Sequence, residues 1–164
     1  MTPVRILVLC TGNSCRSILA EVLFNELGAG RVVCASAGSH PAGAVNPGAI
    51  RKLEQQGHAT AGLSSQSWDA FSGPGADAID IVITVCDSAA GESCPVWNGA
   101  PVTVHWGIPD PADASDADAP AAFDLAYRQL RSRIEKALEL PLETLDAAQR
   151  ENALRRIHAD LRDA

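Results

Sequence analysis

A basic stripe is missing from this chain. Its 164 residues carry 13 Lys and Arg against 20 Asp and Glu, a formal net charge of −7. That balance speaks against a general binder of nucleic acid or of anionic membrane surfaces, so any anion it takes must be held locally. Long apolar runs are missing too. The first, Val4 to Cys10, is far below membrane-spanning length and leads straight into a polar loop. No export signal is visible, and the expectation is a soluble, cytoplasmic protein with no membrane partner. Aromatic residues make up only 4%, with Tyr127 the single tyrosine, so the core must lean on Ala, Val, Leu and Ile. There are no internal repeats, no second globular domain and no GxxxxGK[ST] loop of the kinase kind.

Five cysteines are present, at 10, 15, 34, 86 and 94. The odd count means that they cannot all be paired. In a reducing compartment such residues are more often catalytic, redox-active or metal-binding than structural staples.

Four strand patterns alternate with helical ones. Val4–Cys10 is almost wholly apolar, as a central parallel strand covered on both faces requires. Arg31–Ala37, Asp80–Val85 and Val102–Trp106 are the other strand candidates. Ser17–Leu27 carries Ile18, Leu19, Val22, Leu23 and Leu27 on one stripe and predicts a helix. Pro47–Gln56 predicts a second, with Asn46 as its N-cap and Gly57 as its stop. Ser65–Phe71 is a short third. An acidic, Ala/Pro-rich loop from Asp110 to Pro120 precedes a long amphipathic helix over Ala121–Leu140, with Phe123, Tyr127, Leu130, Ile134 and Leu138 inward. A further helix from Leu145 carries Leu154, Ile157 and Leu161 on one side. This alternation implies an α/β domain with a mainly parallel sheet. Residues 1–140 form that domain and 141–164 a helical extension, which packs either on the domain or on a second subunit.

The stretch Cys10-Thr11-Gly12-Asn13-Ser14-Cys15-Arg16-Ser17 joins the first strand to the first helix. Five residues must wrap tightly between Cys10 and Arg16, and Gly12 and Asn13 suit the unusual dihedrals this needs. The N–H groups of Thr11, Gly12, Asn13, Ser14 and Cys15 then point inward, and the helix N-terminus adds positive potential. Arg16 can clamp two oxygens in bidentate fashion. The result is a cradle for a tetrahedral oxyanion with a thiol at its base. The same field favours the thiolate and is expected to lower the Cys10 pKa to ~4–7 from ~8.5. Ser17 can hydrogen-bond that thiolate or assist the sulfur as a leaving group.

This loop resembles the CX5R loop of low-molecular-weight protein tyrosine phosphatases, and looks closest to the branch of that fold that became arsenate reductases. The match covers roughly residues 3–140. The resemblance implies a three-layer fold with a four-stranded parallel sheet in order 2-1-3-4, Cys10 as nucleophile and Arg16 as the oxyanion-binding arginine. It also implies that the aspartate of Asp110-Pro111, after His105-Trp106-Gly107, is the general acid that protonates a departing oxygen.

Parts of the phosphatase pattern are absent. An aromatic normally follows Asp-Pro, where this chain has Ala112, and Ser17 is followed by Ile18 rather than proline. Cys86 and Cys94 stand in their place. Reducing arsenate takes two electrons, which is what forming one disulfide releases, so a reductase needs further thiols within reach of the first. In a 2-1-3-4 sheet Cys10 and Cys86 end neighbouring strands and face each other across the switch point. The expected relay has Cys10 attack arsenic, Cys86 attack Cys10 with release of arsenite, and Cys94 then carry the disulfide outward. Two alternatives for Cys86 and Cys94 stand beside it: small buried hydrophobes, or a zinc site with His105 for which no fourth ligand is in view.

No tightly bound cofactor is expected. The external reductant is thioredoxin, glutaredoxin with glutathione, or another thiol, and phosphate or sulfate would mimic arsenate. Asn13, Glu21, Ser36 and Asp69 match positions that form a potassium site in some arsenate reductases of this type. Cys15 and Cys34 have structural readings. A phosphatase and a non-catalytic oxyanion-binding module remain as alternative functions.

Overall fold

Alternation along the first strand divides the interior in two. In β1 (Val4–Leu9), Val4, Ile6 and Val8 enter one apolar cluster while Leu7 and Leu9 enter another, the period of two of a strand buried on both faces. The structure is a computed structural model that describes residues 2–87, 91 and 95–162. Cys94 lies outside the described residues.

β2 (Val32–Ala37), β3 (Ile81–Thr84) and β4 (Val102–His105) join β1 in a parallel sheet of order β2-β1-β3-β4. The register sets Leu9 opposite both Ala37 and Thr84, and Thr84 opposite His105. The carboxyl ends of the strands are therefore level, and the loops after β1, β3 and β4 share one edge. On one face α1 (Arg16–Gly28), α2 (Pro47–Gln55), α3 (Ala119–Leu138) and α4 (Ala147–Asp160) contribute Leu23, Leu53, Leu130 and Leu154 to the larger cluster. On the other face Ile79 and Trp97, with Trp68 and Phe71, close the smaller one. Among the described residues no helix is long and apolar enough to cross a membrane.

Local chemistry explains where elements start. Asn46 caps α2 by accepting from the Gly48 N–H at 2.8 Å. Pro120 sits in the first turn of α3, where its missing N–H costs nothing, so that helix starts at Ala119, ahead of the expected Ala121. Asp146 and Gln149 form a reciprocal capping box that starts α4 at Ala147. The helix expected over Ser65–Phe71 shrinks to a 3-10 turn at Trp68–Phe71. Its first half is engaged elsewhere: Ser65 Oγ donates to the Gly12 carbonyl at 3.2 Å, and the Gln66 carbonyl accepts from Gly38 N–H at 2.9 Å.

The C-terminal segment packs on the domain. Trp106 stacks on Phe24 and donates its indole N–H to the Leu154 carbonyl at 2.9 Å. Arg133, fully buried, reaches from α3 to three acceptors: the Gln129 carbonyl, the Leu161 carbonyl and His158 Nδ1, the last at 3.0 Å. His158 accepts there and so is held neutral. Burial, then the Arg133 charge, keeps its pKa below the ordinary 6.5. A group held low in the folded state contributes stability that is complete above the unfolded pKa and lost as pH falls through it towards the folded value. The urea midpoint is expected to fall between about pH 7.5 and about pH 5.5, and His158→Asn to flatten that slope. An unchanged slope in the variant would mean that His158 is not part of the acid response.

Candidate active site

The loop 11–15 is shaped by what its carbonyls bond. Those of Thr11, Gly12 and Ser14 accept from the N–H groups of His40, Ala42 and Asn46 at 2.9–3.0 Å. With the carbonyls turned out, the N–H groups turn in. Asn13 takes the left-handed conformation at φ 45, whereas Gly12 does not, so the unusual dihedral expected of both rests on Asn13 alone. Its side chain holds it there: Nδ2 donates to Ser17 Oγ at 2.8 Å and Ser36 Oγ at 2.9 Å, and Oδ1 accepts from Gln66 N–H at 2.8 Å. The end of β2 passes so close that a Cβ on Gly38 would lie 2.4 Å from the Thr11 carbonyl oxygen. Only glycine fits there.

The loop encloses a cavity of about 200 Å³ lined by Cys10, Thr11, Gly12, Ser14, Cys15, Arg16, Cys86 and Asp110. Asn13 and Ser17 stand behind it. Arg16 is fixed from the far side, with Nη1 donating to the Ile108 carbonyl at 3.0 Å and Nη2 3.3 Å from Asp110 Oδ2. Among the described residues its buried Nε has no partner, a cost of about 1–3 kcal/mol that an entering anion would relieve. Asp110 caps a short 3-10 turn, Oδ1 accepting from Ala112 N–H at 3.0 Å, and Pro111 fixes its approach.

Cys10 and Cys86 are both buried. The Cys86 sulfur is 3.4 Å from Thr11 N and within hydrogen-bonding reach of Cys10. This geometry corrects the expectation of a low Cys10 pKa. The Cys86 hydrogen bond and then burial push the Cys10 thiol well above its ordinary value; the Ser17 hydroxyl and the Asn13 N–H, both donating to its sulfur, act in the opposite direction but do not win. Burial likewise raises Cys15.

The residues expected to hold potassium are partly assembled. Ser36 Oγ donates to Glu21 Oε1 at 2.6 Å and accepts from Asn13, while Asp69 is exposed on the 3-10 turn. Burial raises the Glu21 pKa. Among the described residues no cluster of three or more His, Cys, Asp or Glu side chains is arranged to hold a metal ion. Sequence reasoning missed Gln66 and Gly38, which touch the loop from segments far away in the chain. It also missed Thr11 as a partner of Cys86.

A sequence model of the low molecular weight phosphotyrosine protein phosphatases matches residues 5–151, and the chain belongs to that family. Its relatives narrow the kind. It is 34% identical over 136 residues to the arsenate reductase of Halalkalibacterium halodurans, covering 83% of this chain and 93% of that protein. It is 29% identical over 134 residues to the glutaredoxin arsenate reductase of Synechocystis sp., covering 82% and 95%. Among solved structures, an arsenate reductase in the phosphate binding state aligns with a TM-score of 0.63 at 26% identity, covering 81% of this chain and 98% of that one.

Proposed function

We propose that this protein reduces arsenate to arsenite by a thiol relay in the cytoplasm. The observation that carries the reading is the Cys86 thiol beside Cys10 at the base of an oxyanion cradle. Hydrolysis of a phosphate ester moves no electrons and calls on one thiol, whereas reduction of arsenate needs two. The names of the relatives at 29% and 34% identity agree with it.

In this reading the anion takes the free Arg16 Nε and the inward N–H groups, and draws Arg16 away from Asp110. The proton that Cys10 must shed passes to the released Asp110 carboxylate. The sulfur bonds to arsenic, and the displaced oxygen leaves as water with a proton from Asp110. Cys86 then attacks the Cys10 sulfur. The sulfur–arsenic bond breaks with its electron pair staying on arsenic, so arsenic gains two electrons and two thiols become one disulfide. Cys94 attacks Cys86 and frees Cys10, and an external thiol system, glutaredoxin with glutathione or thioredoxin, reduces the remaining disulfide.

Asn13, Glu21, Ser36 and Asp69 would hold a potassium ion, a hard cation suited to oxygen donors, whose charge would let the buried Glu21 ionise. Potassium is then expected to raise the melting temperature over sodium, and Glu21→Gln to remove the difference; equal melting in both salts would count against the site.

The test is an arsenate assay with thioredoxin and glutaredoxin systems run in parallel. Arsenite formation with at least one is expected. None with any thiol donor, alongside hydrolysis of an aryl phosphate, would favour the phosphatase reading.

A further inference from the structure

Cys86 is gripped from outside the cradle as well. The imidazole of His105, at the end of β4, holds the chain on both sides of that cysteine. Its Nδ1 lies 2.7 Å from the Thr84 hydroxyl and 3.1 Å from the Thr84 carbonyl, and its Nε2 lies 2.8 Å from Asp87 Oδ1. With Thr84 donating to Nδ1 and Nε2–H donating to Asp87, both ring nitrogens are satisfied. The neighbouring backbone is cut to fit this arrangement: a Cβ on Gly107 would stand 2.7 Å from His105 Nε2 and 2.8 Å from Asp87 Oδ1. None of His105, Asp87 and Gly107 lines the oxyanion cavity, so anion binding does not account for them.

We propose that His105 is a positioning residue: by tying Thr84 and Asp87 together it fixes the backbone of Cys86 so that its sulfur stays against Cys10. The inference rests on the thiol-relay reading for its consequence, since the step it serves is closure of the Cys10–Cys86 disulfide. In that step two thiols are oxidised and arsenic(V) becomes arsenic(III). Thr84 is anchored in β3 and pairs with Leu9 of β1, so holding Asp87 to the same ring leaves Val85 and Cys86, the two residues between them, little freedom. Asp87 is almost fully exposed, and an exposed pair of this kind is worth a modest factor, about fivefold at most.

The experiment uses the full chain with Asp87→Ala, Asp87→Asn, Gly107→Ala and His105→Ala. Three quantities are measured: iodoacetamide labelling of Cys86 without arsenate, mapped by mass spectrometry, arsenite release in a rapid-quench single turnover, and the steady-state KM for arsenate. Asp87→Ala and Gly107→Ala are expected to speed Cys86 labelling about threefold and slow arsenite release about fivefold, with the KM for arsenate unchanged. His105→Ala, which loses both ends, is expected to do more. Asp87→Asn should match wild type, because its amide oxygen still accepts from Nε2. The proposal is overturned if Asp87→Ala labels and reacts like wild type, or if Asp87→Asn falls as far as Asp87→Ala. If wild type releases no arsenite the reductase reading fails, yet the labelling contrast between the Ala and Asn variants still decides whether His105 holds Cys86.

Discussion

Cys86→Ser is expected to stop arsenite release while leaving phosphate bound. One thiol can form the sulfur–arsenic bond but cannot supply both electrons, so multiple turnover should fall about 10³-fold or more. The cradle is held mainly by the carbonyl bonds of the loop 11–15 and the anchors of Arg16 on Ile108 and Asp110, and a serine hydroxyl can still accept from the Thr11 N–H that the Cys86 sulfur takes. Protection of Cys10 from iodoacetamide by phosphate should therefore persist. A companion change separates position from chemistry. Cys86→Ala removes the leading cause of the raised Cys10 pKa, so the pH midpoint of Cys10 alkylation should move down. If Cys86→Ser kept wild-type turnover, the second electron would have to come directly from the external thiol.

Arg16→Lys carries the next largest effect. Lysine keeps the charge but has neither the planar fork nor a donor at Nε, the Arg16 nitrogen that has no partner among the described residues. It also loses one of the two anchors on Ile108 and Asp110. A loss of about 10²–10³ in kcat/KM for arsenate is expected, the scale of removing one preorganised oxyanion donor. Steady-state kinetics at fixed ionic strength checks it. A loss under threefold would mean that the loop N–H groups alone hold the anion.

The cradle was legible because it is contiguous. A buried strand, a turn with Asn13 and a helix beginning at Arg16 occupy neighbouring positions, so their residue types show in one short stretch even though the bonds that hold the turn come from Ser36, His40, Ala42, Asn46 and Gln66. The sheet order followed from the resemblance and agrees with the observed pairing. Properties that depend on residues brought together across the sheet were harder to read. The Cys10 thiol stands high instead of low because Cys86 arrives from β3, 76 positions later in the chain. The segment 65–67 fails to form a helix because it is bonded to Gly12, Asn13 and Gly38. His105 looked like part of a strand end, and only the level register of β3 and β4 sets it beside Thr84. The packing of α4 was undecidable from its stripe alone, since an apolar face fits a subunit interface as well as an edge strand.

The account stands or falls on where the electrons come from. The direct measurement is a single turnover of the reduced protein with excess arsenate and no external thiol, counting arsenite released and free thiols lost, with the disulfide mapped. The account requires one arsenite per chain, two thiols consumed and every bridge drawn from Cys10, Cys86 and Cys94. Arsenate left unreduced with all thiols intact, while an aryl phosphate is hydrolysed by the same preparation, would contradict it.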